Sequence, residues 1–239
     1  MRIFIFFLVF SLPVQAEVWG LDTVFNFSKT EQSLIFNGSS ARYKLGGIGL
    51  LGKYQSKNYG NFFVGGGLGY SPNESASFLS VTASGSATSV FKQIAYDYQL
   101  QFSDSMALNF QLNHRDYDIE GDLKGVINNQ SLSVDASSRF KLNELILSIP
   151  IRVNQRNTLE FGVGLINWQI DATAKGQLES GISAKTFVEG SATDPLFMLG
   201  LQTKLLDTQL IFTYKNSKFS ADEETAMHEI LVTAKVASF

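Results

Sequence analysis

KLNELILSIPIRVNQRNTLEFGVGL, residues 141–165, carries two alternating runs separated by a short polar break. In the first, Leu145, Leu147, Ile149, Ile151 and Val153 alternate with Glu144, Ile146, Ser148, Pro150 and Arg152. In the second, Leu159, Phe161, Val163 and Leu165 alternate with Glu160, Gly162 and Gly164. A period of two sends successive side chains to opposite faces of an extended strand. One face of this hairpin is therefore apolar throughout, and the other carries charge, hydroxyl and glycine. Keeping the apolar faces together is expected to set Val153 opposite Leu159 and Arg152 opposite Glu160, a charge pair of modest value. A water-soluble sheet buries such an apolar face, whereas a transmembrane barrel turns it outward to lipid.

The chain begins MRIFIFFLVFSLPVQA, with a charge at Arg2, an apolar run from Ile3 to Leu12 and a small-residue site ending at Ala16. Residues 1–16 are expected to form a cleaved secretory signal peptide, leaving 17–239 as one domain. The run is shorter than the ~20 apolar residues a spanning helix needs. Without cysteine, the exported domain gets no help from disulfides. Without Arg2 it holds 18 basic and 22 acidic residues, a net charge of −4, which gives no sign of a nucleic-acid partner. Mean hydropathy is close to zero, as expected of strands that average an apolar and a polar face.

Further alternating segments precede and follow the hairpin. Trp19, Leu21, Phe25 and Phe27 share one parity, and Tyr96, Tyr98, Leu100 and Phe102 another. A short break is expected to place Phe102 opposite Leu108, Gln99 opposite Gln111 and Asp97 opposite Asn113. Phe197, Leu199, Leu201 and Leu205 form the face of a later strand, with Leu205 expected opposite Leu210 across a turn at Asp207-Thr208. Ile230, Val232, Ala234 and Val236 form the face of the last. Strands two and three are rich in glycine (Gly46, Gly47, Gly49, Gly52, Gly65, Gly66, Gly67 and Gly69), so their facing stays ambiguous. Pro150 within the best strand calls for a bulge or a local gap.

Ten strands emerge, with eight as the alternative. Their connections alternate between long ones of about 12–24 residues, such as 117–138 and 171–194, and short ones of about 2–6. The expected fold is all-β, a transmembrane antiparallel up-and-down β-barrel with short periplasmic turns and long external loops. Closure pairs the backbone groups that lipid would leave unsatisfied. Trp19, Tyr70, Tyr98, Phe102, Trp168 and Tyr214 lie near strand ends, where interfacial girdles form.

With its leader, alternating strands, loop asymmetry and terminal Phe239, the whole mature chain resembles the small outer-membrane β-barrel proteins of Gram-negative bacteria. That resemblance implies an outer-membrane location, lipid and lipopolysaccharide as surroundings, and recognition of a Phe-ended last strand by the barrel-assembly machinery.

The polar face supplies the candidate site. Asp97, Arg115, Glu144, Arg152, Glu160, Lys204 and Lys235, with Lys44, are expected to point into the lumen. Mixed signs at neighbouring positions favour mutual pairing, while a selective pore favours rings of one sign. His114-Arg115-Asp116 suggests a catalytic set, but the three residues alternate between faces. His228 follows Asp222, Glu223 and Glu224, an acidic loop able to attract a divalent cation or simply to solvate a surface. No Ser-His-acid spacing, phosphate loop or zinc motif is present. No cofactor and no enzyme activity are therefore expected. The favoured role is structural or surface interaction through external loops. A narrow pore for ions or small solutes is the alternative, and a protease or lipid-modifying enzyme the next.

Overall fold

A computed structural model describes residues 22–36, 39–56, 59–78, 81–103, 106–205, 208–218 and 226–237. The expected leader, Trp19, the acids at 222–224 and Phe239 lie outside these residues. Ten antiparallel strands follow in chain order: β1 (Asp22–Phe36), β2 (Ser39–Ser56), β3 (Gly60–Phe78), β4 (Val81–Gln101), β5 (Ala107–Ile127), β6 (Gln130–Arg152), β7 (Asn157–Leu178), β8 (Ser183–Leu205), β9 (Thr208–Lys218) and β10 (Ala226–Ala237). Each pairs with its sequence neighbours, and β1 pairs with β10, so the sheet closes as an up-and-down barrel. Ten strands, not eight, make the wall. Thr23 pairs with Ala237, which puts both ends of the barrel chain on one rim, here the terminal end. The opposite rim is the distal end.

Near the terminal end the wall is inside out. Leu147, Ile149, Phe161 and Val163 are 44, 54, 50 and 59% exposed, and they share their outer face with Leu145, Ile151, Leu165, Phe197, Leu199 and Ile230. Their strand neighbours Glu144, Ile146, Ser148 and Gly162 face inward and are buried. The glycine-rich strands follow the same rule, with Ile48, Leu50, Val64 and Leu68 outside. Their inward glycines make room for one ring: a Cβ on Gly49 would stand 2.6 Å from Phe91 Cζ, and one on Gly67 2.6 Å from Phe91 Cε1.

Towards the distal end the polarity reverses while the alternation keeps its phase. On β5, Tyr117, Ile119 and Leu123 are buried inside, and Asp118, Glu120, Asp122 and Lys124 are exposed. On β6, Phe140 and Val134 face in while Arg139 and Asp135 face out, and on β7 Trp168 and Ile170 face in against Asn167 and Gln169 outside. The polar segments expected as loops at 117–138 and 171–194 are therefore mostly strand, giving β5 to β8 lengths of 21–23 residues. A two-residue turn caps the β5–β6 hairpin at Asn128 (φ 48°) and Asn129 (φ 63°). Asparagine is among the few residues that tolerate this left-handed backbone, and the turn's twist suits a hairpin.

Three expected registers are off by two residues. Leu159 faces Ile151 rather than Val153, Leu108 faces Leu100 rather than Phe102, and Leu210 faces Thr203 rather than Leu205. Gln99 and Asp97 accordingly face Asn109 and Gln111. A shift of two keeps every side chain on its face, so the apolar pattern fixes register only modulo two and turn geometry decides the rest. Around Asn154, for example, the side-chain oxygen accepts from the backbone N–H of Arg156 and Asn157, and Val153 N–H donates to Asn157 O, so the loop needs residues 153–156. Pairing of β6 with β7 runs unbroken through Pro150 and Glu160, while pairing with β5 ends at Ser148. No bulge accompanies Pro150; Pro72, in contrast, sits at the register shift of β3 between Ser71 and Glu74.

Candidate functional site: a charged cluster across the barrel interior

Alternation brings four charges from two walls to one level of the interior. Arg115 on β5 and Glu144 on β6 come from one wall, Lys215 on β9 and Glu229 on β10 from the other. In a ring of ten strands β5 and β10 stand diametrically opposite. Arg115 donates through both terminal nitrogens to Glu229, with Nη2 2.9 Å from Oε2, and Nη2 also reaches Glu144 Oε1. Lys215 Nζ bonds Glu144 Oε2 and lies 3.9 Å from Glu229 Oε2. The two walls are thus tied together by reciprocal ion pairs.

Neutral donors complete the cluster. Asn113 Nδ2 donates to Glu144 Oε2 at 2.9 Å, and Gln93 Nε2 donates to Asn113 Oδ1 at 3.0 Å. Arg115 Nη1 also donates to the Tyr117 hydroxyl at 3.1 Å. Arg115, Glu144, Lys215 and Glu229 are all buried. Charges withdrawn from water in this way hold only when paired and hydrogen-bonded, and removing one partner typically costs about 3–5 kcal/mol.

On the distal side of the cluster lies an apolar layer containing Phe91, Phe140, Leu142, Ile166, Trp168 and Met227. Trp168 Nε1 donates to Asp194 Oδ2 at 2.7 Å within it. Trp168, expected in an outer girdle, is instead fully buried inside, because it shares the inward parity of Glu160 and Ile166. Tyr70, Phe102 and Tyr214 are exposed. On the terminal side Ile146 and Met198 are buried inside, and a network of polar side chains follows. Glu160 Oε1 accepts from Asn109 Nδ2 at 2.8 Å, Gln111 Nε2 at 3.2 Å and Ser148 Oγ, and Asn61 Nδ2 donates to Asp97 Oδ1.

The sequence candidates therefore separate. Arg115 and Glu144 sit in the cluster, and Glu160 and Asp97 form the neutral-donor network below it. Arg152 and Lys204 are exposed near the terminal turns, with no ion pair among the described residues. Thr158 faces Arg152, and Pro150 faces Glu160, which replaces the expected Arg152–Glu160 pair. The side chains of Lys235 and Lys44 lie outside the described residues. Lys215, Glu229 and Asp194 escaped the sequence reading because they fell in or beside segments read as loops, although their parity is that of the polar face.

His114, Arg115 and Asp116 do not converge. His114 Nδ1 lies 2.7 Å from Asn143 Oδ1 on the outer face, while Arg115 points inward. Asp116, also outside and distal to the apolar belt, accepts from Arg139 Nε at 2.9 Å. The Arg139 hydrogen bond holds the Asp116 carboxyl below its usual range. His228 Nδ1 lies 2.8 Å from Asn216 Nδ2 and 3.0 Å from the Tyr214 hydroxyl. Among the described residues no group of three or more metal-binding side chains is found.

No family model and no curated protein matches the chain. Its fold does find likenesses among solved structures. The translocator domain of the autotransporter NalP from Neisseria meningitidis is 12% identical over 94% of this chain and 90% of that one, with a TM-score of 0.47. Ail, the attachment invasion locus protein of Yersinia pestis, is 13% identical over 93% and 100%, with a TM-score of 0.37. The P. putida toluene transporter TodX is 11% identical over 93% and 68%, with a TM-score of 0.43. These are outer-membrane β-barrels. The likeness is one of architecture, and their roles differ from one another.

Proposed function

We propose that this chain is an integral outer-membrane β-barrel with a sealed interior, serving a structural or surface-interaction role through its distal hairpins. Membrane insertion is supported by the exposed apolar belt. Along β6 and the residue that follows it the belt runs from Leu145 to Val153, nine residues, the length of about 9–11 expected of a tilted crossing. In this reading the terminal end is periplasmic, with its short turns, and the polar-faced distal extensions stand in water outside. Lipid and lipopolysaccharide cover the belt, residues 1–16 direct export, and the barrel-assembly machinery inserts the mature chain 17–239.

The observation that carries the sealed interior is the cross-barrel cluster, in which Arg115 reaches both Glu144 and Glu229 beneath a layer of buried apolar side chains. Mutual neutralisation favours a plug, whereas rings of one sign favour conduction. Planar-bilayer recording of the purified protein tests it. A barrel with no steady open level is the expected result. Discrete open levels that change in Glu229→Gln would restore the narrow-pore alternative.

A further inference from the structure

On the outer face of β4 to β8 the chemistry changes row by row where the apolar belt ends. The last apolar row is Leu112, Leu145 and Leu165, paired side by side and exposed. The next outward row is His114, Asn143, Asn167 and Thr193. These four are joined laterally. His114 Nδ1 lies 2.7 Å from Asn143 Oδ1, Asn143 Nδ2 donates to Asn167 Oδ1 at 3.4 Å, and Asn167 Nδ2 donates to Thr193 Oγ1 at 3.0 Å. The row after that is Lys92, Asp116 and Lys141. Arg139 takes up the acid between the lysines, donating to it through Nε at 2.9 Å and through Nη2.

We infer that this face seats one phosphorylated lipid of the leaflet at the distal end. Its acyl chains lie on the belt, its ester or amide carbonyls on the asparagine rail, and its phosphate between Lys92 and Lys141. The inference deepens the reading above and rests on it for the position of the membrane. The three rows follow the order of groups along such a lipid, and that order is what separates a lipid from a free phosphate ion.

An amide side chain offers two N–H donors and an oxygen with two lone pairs, more than the lateral bonds of the rail consume. Lys92 and Lys141 stand two strands apart, about 10 Å, and approach one phosphate from both sides. On β4 the exposed Val90 and Ile94 bracket Lys92, and Gly66 faces it with no side chain. The lysine stem therefore has room along the belt while its ammonium reaches the headgroup. Depth is limited from the other side. Asp118, Asp171 and Glu189 stand one row further out, where they repel a phosphate. Each lysine at such a boundary is expected to contribute about fivefold in affinity for an anionic lipid.

Native mass spectrometry of the detergent-solubilised full barrel tests this, with lipid A carrying its phosphates and the same lipid with them removed. The phosphorylated form is expected to bind about tenfold or more tightly than the other. Lys92→Gln/Lys141→Gln abolishes that preference. Lys124→Gln/Lys175→Gln removes the same charge further out on β5 and β7 and leaves it intact. Asn143→Leu weakens both lipids alike, since both carry the carbonyls. Equal binding of the two lipids, equal losses in the two lysine pairs, or displacement by inorganic phosphate overturns the proposal. Extraction keeps the underlying reading separate. A barrel released from membranes without detergent overturns the membrane reading and the seat with it, whereas one that needs detergent yet holds both lipids equally overturns the seat alone.

Discussion

The wall made by β5 to β8 and the wall made by β9 and β10 start at the same rim and stop at different heights. The first has strands of 21–23 residues, the second strands of 11 and 12. Their common part is built alike, apolar outside and charged inside, and each supplies one acid and one base to the cluster. Among the described residues of the two walls, only the longer wall continues into the zone where the polarity inverts. The short wall therefore does what closure and neutralisation require, and the long wall adds a second, water-facing sheet on the same strands.

The cluster is where the two walls are tied, so breaking it has the largest expected effect. Arg115→Ala on the long wall and Glu229→Ala on the short wall are each expected to cost about 3–5 kcal/mol, because each strands a buried charge. The double variant should cost less than the sum, since the pair is lost only once. Denaturant unfolding in micelles reads all three, and full additivity would show that the walls are not coupled through this pair.

Trp168→Phe probes the long wall alone. It removes the indole N–H that meets Asp194 and is expected to cost about 1.5–3 kcal/mol by the same assay. A smaller effect is expected at the distal tip. Asn128→Ala places a Cβ residue without a helpful side chain at φ 48°, costing about 1–2 kcal/mol locally, while Asn128→Gly is tolerated. Hydrogen exchange confined to the β5–β6 tip distinguishes this from global destabilisation. The smallest effect is electrostatic and lies on the outer face. The lowered Asp116 pKa makes its contribution present above the ordinary Asp range and lost as pH falls through the lowered value. Exposure and salt keep it small. Carboxyl NMR titration should find Asp116 below the ordinary Asp range, and Arg139→Gln should return it there.

Much of the common part could be read from residues. The outward set Leu145 to Val153 and the inward set Glu144, Arg115 and Glu160 followed from parity alone. Register did not, because Val153 and Ile151 are equally acceptable partners for Leu159 when only the face is scored. The distal strands went unread for a different reason. Asp118, Glu120, Asp122 and Lys124 alternate with Tyr117, Ile119, Gly121 and Leu123 as strictly as the residues below them. The polarity simply changes sign, and an eye set for an apolar outer face sees a polar gap. Lys215 and Glu229 were lost at the margins of such a gap.

One consequence concerns the order of assembly. Arg115 and its partner Glu229 are separated by 114 positions, and Glu229 belongs to the final strand. Until that strand arrives, the guanidinium has Glu144 beside it but lacks its two-pronged partner across the barrel, and an unfinished sheet must keep it wet. Zipping β10 onto β1 is then the step that expels water from the middle of the molecule, so seam formation and dehydration of the interior are one event.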